Sequence, residues 1–264
     1  MARLTGVDVS VFDVGGVSVL ADLRQAEVVS STQFADVTPV VLAGESRAAV
    51  KQNVRISNGL MSSKPGGVKV THLDVSALSL AGLDYRAVVE QGVFEGQTAI
   101  EDGSGIGDEW EWPVVVRKDY RARLELMVES SGSVALVDKA FGGLAGKDVG
   151  FSVTINGVVV AVPMALAQFE HLISAGKRQK WRVDLVGNAT VGGAYPTAPA
   201  ESGSLLAHAF NSPGAPLAVV IDAGVGQPVL SGGFLIKKFG FRFGRGAVVD
   251  STYDFVSQGA VVLS

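Results

Sequence analysis

Five carboxylates, Glu101, Asp102, Asp108, Glu109 and Glu111, fall within eleven residues that hold no Lys or Arg. A calcium loop would want alternating carboxylates, and this spacing does not supply them. Two readings remain: a solvated acidic loop, and a surface that repels polyanions. Trp110 and Trp112 alternate with Glu109 and Glu111. A strand there would bury its two indoles on one side and present acids on the other.

No other cluster makes a complete reactive set. The run from Gly142 to Asp148 is one residue short of a phosphate loop before its Gly-Lys pair. Asp148 also stands where a Ser or Thr would hold magnesium. Gly103-Ser104-Gly105-Ile106-Gly107 lies among acids, with no following helix to offer its N-terminus to a phosphate. Gly44-Glu45-Ser46-Arg47-Ala48 faintly resembles a nucleophile elbow, but that elbow needs a strand entering a parallel sheet and a partner histidine. His72, His171 and His208 are far apart, each beside apolar residues, and none has a metal-ligand spacing. With no cysteine there is no thiol nucleophile, disulfide frame or cysteine metal site. Asn188-Ala189-Thr190 fits a glycosylation acceptor, which carries no meaning without a secretory signal. The chain does not read as an enzyme, and no catalytic, metal or cofactor site is expected.

Composition turns attention from chemistry to surface. The 264 residues suit two domains of roughly 130 residues each. Charged residues are only 18% and mean hydropathy is +0.33, so much of the outside is expected to be covered by neighbouring subunits. A membrane span is the rival explanation. The longest apolar stretch, Val158 to Ala167, is about half the length such a span needs and contains Pro163. Asp8 and Asp13 break the opening, which does not read as a signal peptide. A net charge of −4 and a pI near 5.4 argue against a dedicated nucleic-acid binder, whose phosphate contacts need clustered cations.

The elements that would position these residues are mostly strands. Phe239, Phe241 and Phe243 alternate with Gly240 and Arg242, and after a turn Val249, Ser251, Tyr253 and Phe255 recur at period two. Tyr120, Ala122, Leu124 and Leu126 alternate with Arg121, Arg123 and Glu125. Helix is sparse. Pro163 to Ala175 is the best candidate, with Pro first, Gly176 after, and Leu166, Phe169 and Ile173 on one side. Ala21 to Val29 fits helix or strand, and Gly44 to Lys51 and Ser204 to Phe210 suggest one or two helical turns each. Asn58–Gly67 and Gly187–Gly203 read as loops, and Gly132–Gly146 as a link.

Short segments recur in order. Gly6-Val7-Asp8-Val9 returns as Gly146-Lys147-Asp148-Val149, and the hairpin Val11–Val19 matches Ser152–Val160. Val88–Gly92 recurs as Val219–Gly224, and Val128–Leu136 as Val256–Leu263. These matches predict a tandem duplication, with a first β domain over 1–138 and a second over 139–264.

The order of a β-hairpin, Phe34-Ala35-Asp36-Val37-Thr38, a short Ala-rich helix and a strand ending at Asn58-Gly59-Leu60 is similar to one family. So is the closing run of Gly233–Ile236, Gly246–Asp250, Tyr253-Asp254-Phe255 and Gln258-Gly259. The chain resembles the major tail (tail tube) proteins of long-tailed bacteriophages, although its Asp-Val-Thr has no clear partner in the second copy. The resemblance implies a mainly β fold: two tandem tube-like β-barrel or sandwich domains, each with a short helix. It implies a structural virion protein made in the host cytoplasm and resident in the tail. Members form stacked hexameric rings around a DNA channel, or trimeric rings with pseudo-sixfold symmetry when two copies are fused. The partners implied are the protein itself, tape-measure and tail-end proteins, and genomic DNA in transit without sequence-specific binding, with no membrane and no cofactor. On this reading the acidic run Glu101, Asp102, Asp108, Glu109 and Glu111 is a candidate lumen wall. The alternative is another virion structural or binding module: a decoration protein, a tail-end ring, or a carbohydrate-binding β domain using Trp110, Trp112 and Tyr195.

Overall fold

Long antiparallel strands dominate, because most of the chain alternates apolar and polar residues between Gly-rich turns. The computed structural model describes residues 9–36, 47–61, 69–105, 107–128, 134–142, 147–187 and 205–264. A short hairpin of β1 (Val11–Val14) and β2 (Val17–Ser18) precedes a long hairpin of β3 (Leu23–Asp36) and β4 (Arg47–Met61). The same order follows at once, with β5 (Val75–Leu80) and β6 (Leu83–Asp84), then β7 (Val89–Asp102) and β8 (Pro113–Met127). Helix α1 (Val134–Phe141) leads into a meander of β9 (Asp148–Ile155), β10 (Val158–Leu172) and β11 (Lys180–Gly187). Helix α2 (Leu205–Asn211) leads into a second meander of β12 (Leu217–Asp222), β13 (Val229–Gly244) and β14 (Asp250–Leu263). The two short hairpins turn alike, through Gly15 (φ 61°) and Gly16 (φ 78°) and through Ala81 (φ 52°) and Gly82 (φ 81°). Two successive positive φ values match the right-handed twist of the flanking strands.

Pairing nests the chain. The first hairpins join the last meander in the order β2-β1-β12-β13-β14-β4-β3. The second hairpins join the first meander in the order β6-β5-β9-β10-β11-β8-β7. Position by position, these are the same seven-strand arrangement. The outer unit consists of 9–61 and 205–264, and the inner unit, 69–187, is inserted between β4 and α2.

Register agrees as well. β3 and β4 slip past each other at Leu23/Gln25 and Gln33/Phe34, and β7 and β8 at Val89/Gln91 and Ala99/Ile100. Both differences, 89 − 23 and 99 − 33, are 66. The meanders bulge at Leu166/Gln168 and Ile236/Lys238, an offset of 236 − 166 = 70, and β13 slips against β14 once more at Gly232/Phe234, where the β10–β11 pairing has no counterpart.

A division at 138/139 does not follow these pairings, since it cuts through α1 inside the inner unit. Nor do the recurring segments mark equivalent places: Val11–Val19 occupies the place of β5 and β6, not of β9 and β10. Short Val- and Gly-rich hairpins obey the same turn and alternation rules wherever they occur, so their likeness does not identify structural partners.

Two helical expectations, Pro163 to Ala175 and Gly44 to Lys51, give way to strands, and Ala21 to Val29, which fits helix or strand, resolves as strand. Pro163 to Ala175 lies mostly in β10, held by β9 on one side and β11 on the other. Val160, Val162, Met164 and Leu166 are buried at period two. The bulge after Leu166 then adds one residue, so Phe169 returns to the core side three positions on, imitating helical spacing. Ala21 to Val29 enters β3 through a single 3-10 turn at 20–22. Residues 47–51 of the expected turn at Gly44 to Lys51 belong to β4. The helix expected at Ser204 to Phe210 is α2, whereas the expected link 132–146 contains α1. Of the two expected loops, 58–61 end β4 and Gly187 ends β11; 62–67 and 188–203 lie outside the described residues.

One continuous core runs through both units. Phe12, Ile56, Phe234 and Phe255 anchor it in the outer unit, and Leu78, Leu124, Phe151 and Val183 in the inner.

Candidate assembly surface

The units meet through a shared strand. β12 pairs with Val229–Phe234 of β13, while Lys238–Gly244 pair with β7 of the inner unit. The long strands thereby form one sheet in the order β3-β4-β14-β13-β7-β8-β11-β10. Phe239, Phe241 and Phe243 lie directly opposite Gly96, Phe94 and Gly92. A Cβ on Gly92 would stand 2.2 Å from Phe243 Cζ, and one on Gly96 2.3 Å from Phe239 Cζ. The rings occupy the space that side chains would take, so each large residue is matched by a missing one. Phe94 stacks on Phe241 at 5.1 Å and on Phe151 at 5.6 Å. Phe210 of α2 closes over the joint, 5.1 Å from Phe239 and 5.5 Å from Tyr120 between ring centroids.

The other face of the sheet is polar and carries both signs. Arg182 donates to Glu170 and to Glu125, each at 3.1 Å, bridging β10, β11 and β8. Arg123 donates to Asp184 at 2.9 Å, Lys180 pairs with Glu90, and Lys238 lies 3.3 Å from Glu95. Hydrogen bonding to Glu125 raises the Arg182 pKa above its ordinary value, and hydrogen bonding to Asp184 does the same for Arg123. These pairs are solvated, so they add little to stability. They leave a wall with no single-signed field.

The acidic run sits at the tip of the β7–β8 hairpin, and its members do different things. Asp102 accepts from Lys51 of β4 at 2.6 Å and also from Ser104, which holds its carboxyl well below the usual carboxylate range. Glu111 accepts from Asn53 at 2.6 Å and from Gln33, while Trp110 bridges to Gln52. Trp112 lies against Gly259 of β14. Asp102 and Glu111 therefore clasp the inner unit to the outer one. Asp108 accepts from the Gly105 amide within the loop at 2.6 Å and, like Glu101 and Glu109, is exposed. The run is not one surface, and Lys51, which answers its charge, comes from β4. The two indoles do not share burial either: Trp110 is half-buried and Trp112 is 50% exposed.

The remaining sequence candidates stay apart. His72 Nδ1 accepts from the Gly246 amide, His171 bonds Gln179, and His208 bonds the Ala215 carbonyl. Among the described residues no group of three or more His, Asp or Glu is placed to hold a metal ion. Also among them, no helix is long and apolar enough to cross a membrane. Residues 44–46 of the elbow-like segment, 143–146 of the Gly-rich segment, Asn188–Thr190 and Tyr195 lie outside the described residues. Two edges of the long sheet have no described strand beside them: the outer edge of β3, and Gln168–Leu172 of β10 on the side away from β11. Neither a protein-family model nor a curated protein sequence matches the chain.

Proposed function

We propose that this protein is a structural subunit that assembles with copies of itself into rings, either stacked as the tail tube of a long-tailed bacteriophage or closing an end of such a tail. The observation that carries the reading is the joint between β13 and β7. Two units of one topology are already fused edge to edge within a chain, which is the repeat a ring is made of. Six such units, from three chains, close if each is rotated about 60° from the last. A closed ring also covers sheet edges that would otherwise template open-ended aggregation. The low charge content fits a protomer with neighbours on several sides, and the polar, mixed-sign face suits a wall along which DNA slides without adhering. Its partners would be itself, then tape-measure and tail-end proteins at the ends, with DNA passing through and the virion as its destination. Negative-stain images of the purified, concentrated protein test this. Rings with six similar lobes are the expected result. A particle that stays monomeric at high concentration would refute it, and glycan binding by that monomer would favour a binding module instead.

A further inference from the structure

Building on that self-assembly reading, we infer that β3 of one copy pairs antiparallel with the Gln168–Ser174 edge of a second copy, repeating between chains the joint that β7 and β13 make within one. The offsets of 66 and 70 specify the register. Lys238 opposite Gln97 becomes Gln168 (238 − 70) opposite Ser31 (97 − 66). By the same shifts Phe169 meets Ser30, His171 meets Val28, and Ile173 meets Ala26.

Small residues face large ones at both joints. Within the chain Phe239 and Phe243 lie over Gly96 and Gly92. At the equivalent positions of β3 stand Ser30 and Ala26, small but with the Cβ that Gly96 and Gly92 lack; Phe169, which packs on Trp181 and Phe141, therefore stands beside its partner and does not lie over it as Phe239 does. The capping aromatic is conserved in place but not in environment. Phe210 meets Phe239 edge-on at 71°, and Phe141 of α1 meets Phe169 edge-on at 77°. Yet Phe210 is 3% exposed and Phe141 is 75% exposed. Phe94 and Tyr120, which help cover Phe210, correspond to Val28 and Val54 on the second copy. Val28 and Ile173 are themselves 43% and 68% exposed, so the pairing buries apolar surface on both partners. On the polar face, Leu172 and Val29 become diagonal neighbours, while Glu170 keeps its bond to Arg182. The occupant is a second copy because these two edges stand at opposite ends of the eight-strand sheet, about seven strand spacings or ~33 Å apart along it.

The chain has no cysteine, so disulfide trapping reports on this contact alone. In the full-length protein, Ser31→Cys with Gln168→Cys should form chain-to-chain disulfides under mild oxidation. Ser31→Cys with Leu172→Cys, four residues out of register, should form at least tenfold less. Phe141→Asp should abolish cross-linking in the first pair without changing the monomer's circular dichroism, and Phe141→Leu should retain part of it. Equal cross-linking in both pairs would overturn the register. Rings without the in-register cross-link would overturn this contact and leave the ring reading standing. In-register cross-links in open chains without rings would uphold the contact and remove the ring.

Discussion

Gly96→Ala should destabilise the protein, although in most strands the same change helps. Alanine restricts the unfolded chain, and at an unstrained position that is worth ~0.4–1 kcal/mol of stability. Gly96 has no positive φ, so the backbone accepts alanine. The obstacle is Phe239, whose ring would stand 2.3 Å from the new methyl and which is only 2% exposed. It cannot swing into solvent, and forcing it against Phe94, Tyr120 and Phe210 is an overpacking defect of ~1–3 kcal/mol. The net loss should be ~0.5–2 kcal/mol, a fall in Tm of about 2–6 °C for a chain of this size. Thermal unfolding followed by circular dichroism measures it, and a cycle with Phe239→Leu assigns it. Leucine lacks the ring tip, so Gly96→Ala should cost ~1 kcal/mol less in that background. A rise in Tm for Gly96→Ala, or additivity in the cycle, would show that the ring does not lie over the glycine and would break the account of the joint.

Lys51 and Asp102 should contribute under ~1 kcal/mol, because both side chains are partly solvated. The Asp102 pKa is lowered in the folded state, so its contribution is present above the unfolded carboxylate value of about 3.9. It fades as pH falls through the folded value. Urea midpoints of Asp102→Asn and the parent should therefore differ at neutral pH and converge in strong acid, and a constant gap would show that the pair is not the cause. Reversing Glu101 and Asp108 to Lys should leave stability within ~0.5 kcal/mol, whereas Asp102→Lys should lower it measurably in the same denaturant titration. Gly259→Ala should cost ~1–2 kcal/mol, since φ is +82° and a Cβ would stand 2.9 Å from Trp112. Tryptophan emission should shift with it, and an unchanged spectrum would place Trp112 elsewhere. Arg182→Ala should lower the urea midpoint slightly at low ionic strength and less in salt, because both of its ion pairs are solvated, and a loss that does not shrink with salt would show that these pairs are not its cause.

Alternation made β8, β13 and β14 legible, because one face of each meets the core and the other meets water. It failed at β10, where a single bulged residue turned period two into an apparent i, i+3 spacing. The likeness of the two seven-strand units is legible too, but along another alignment than the four recurring segments suggest. Val75-Ser76-Ala77-Leu78 and Ala81-Gly82 follow Val9-Ser10-Val11-Phe12 and Gly15-Gly16 at a constant 66 residues, a better signal than the changing offset of the other matches. At an offset of 70 the two meanders share Val159 with Val229, Phe169 with Phe239, Gly176 with Gly246, Asp184 with Asp254 and Val186 with Val256, and little else, because what they have in common is mainly which side each residue faces. The acidic run was visible as a charge cluster; its division between clasp and solvent was not. Lys51 and Asn53 are brought to it only by strand pairing, about fifty residues away in sequence.

The insertion of one unit within the other also orders events during synthesis. The inner unit is complete once β11 has left the ribosome, when the outer unit still lacks α2, β12, β13 and β14. Domains fold as they emerge, so the β7 edge is presented early, with β13 not yet made. The outer hairpins wait longer still, with β4 lacking the β14 strand that flanks it. A chain released early therefore has no finished outer unit. Strand β14 completes the outer unit by pairing both β13 and β4, so a chain cut short before residue 250 leaves the long outer hairpin without the neighbour that ties it to β13.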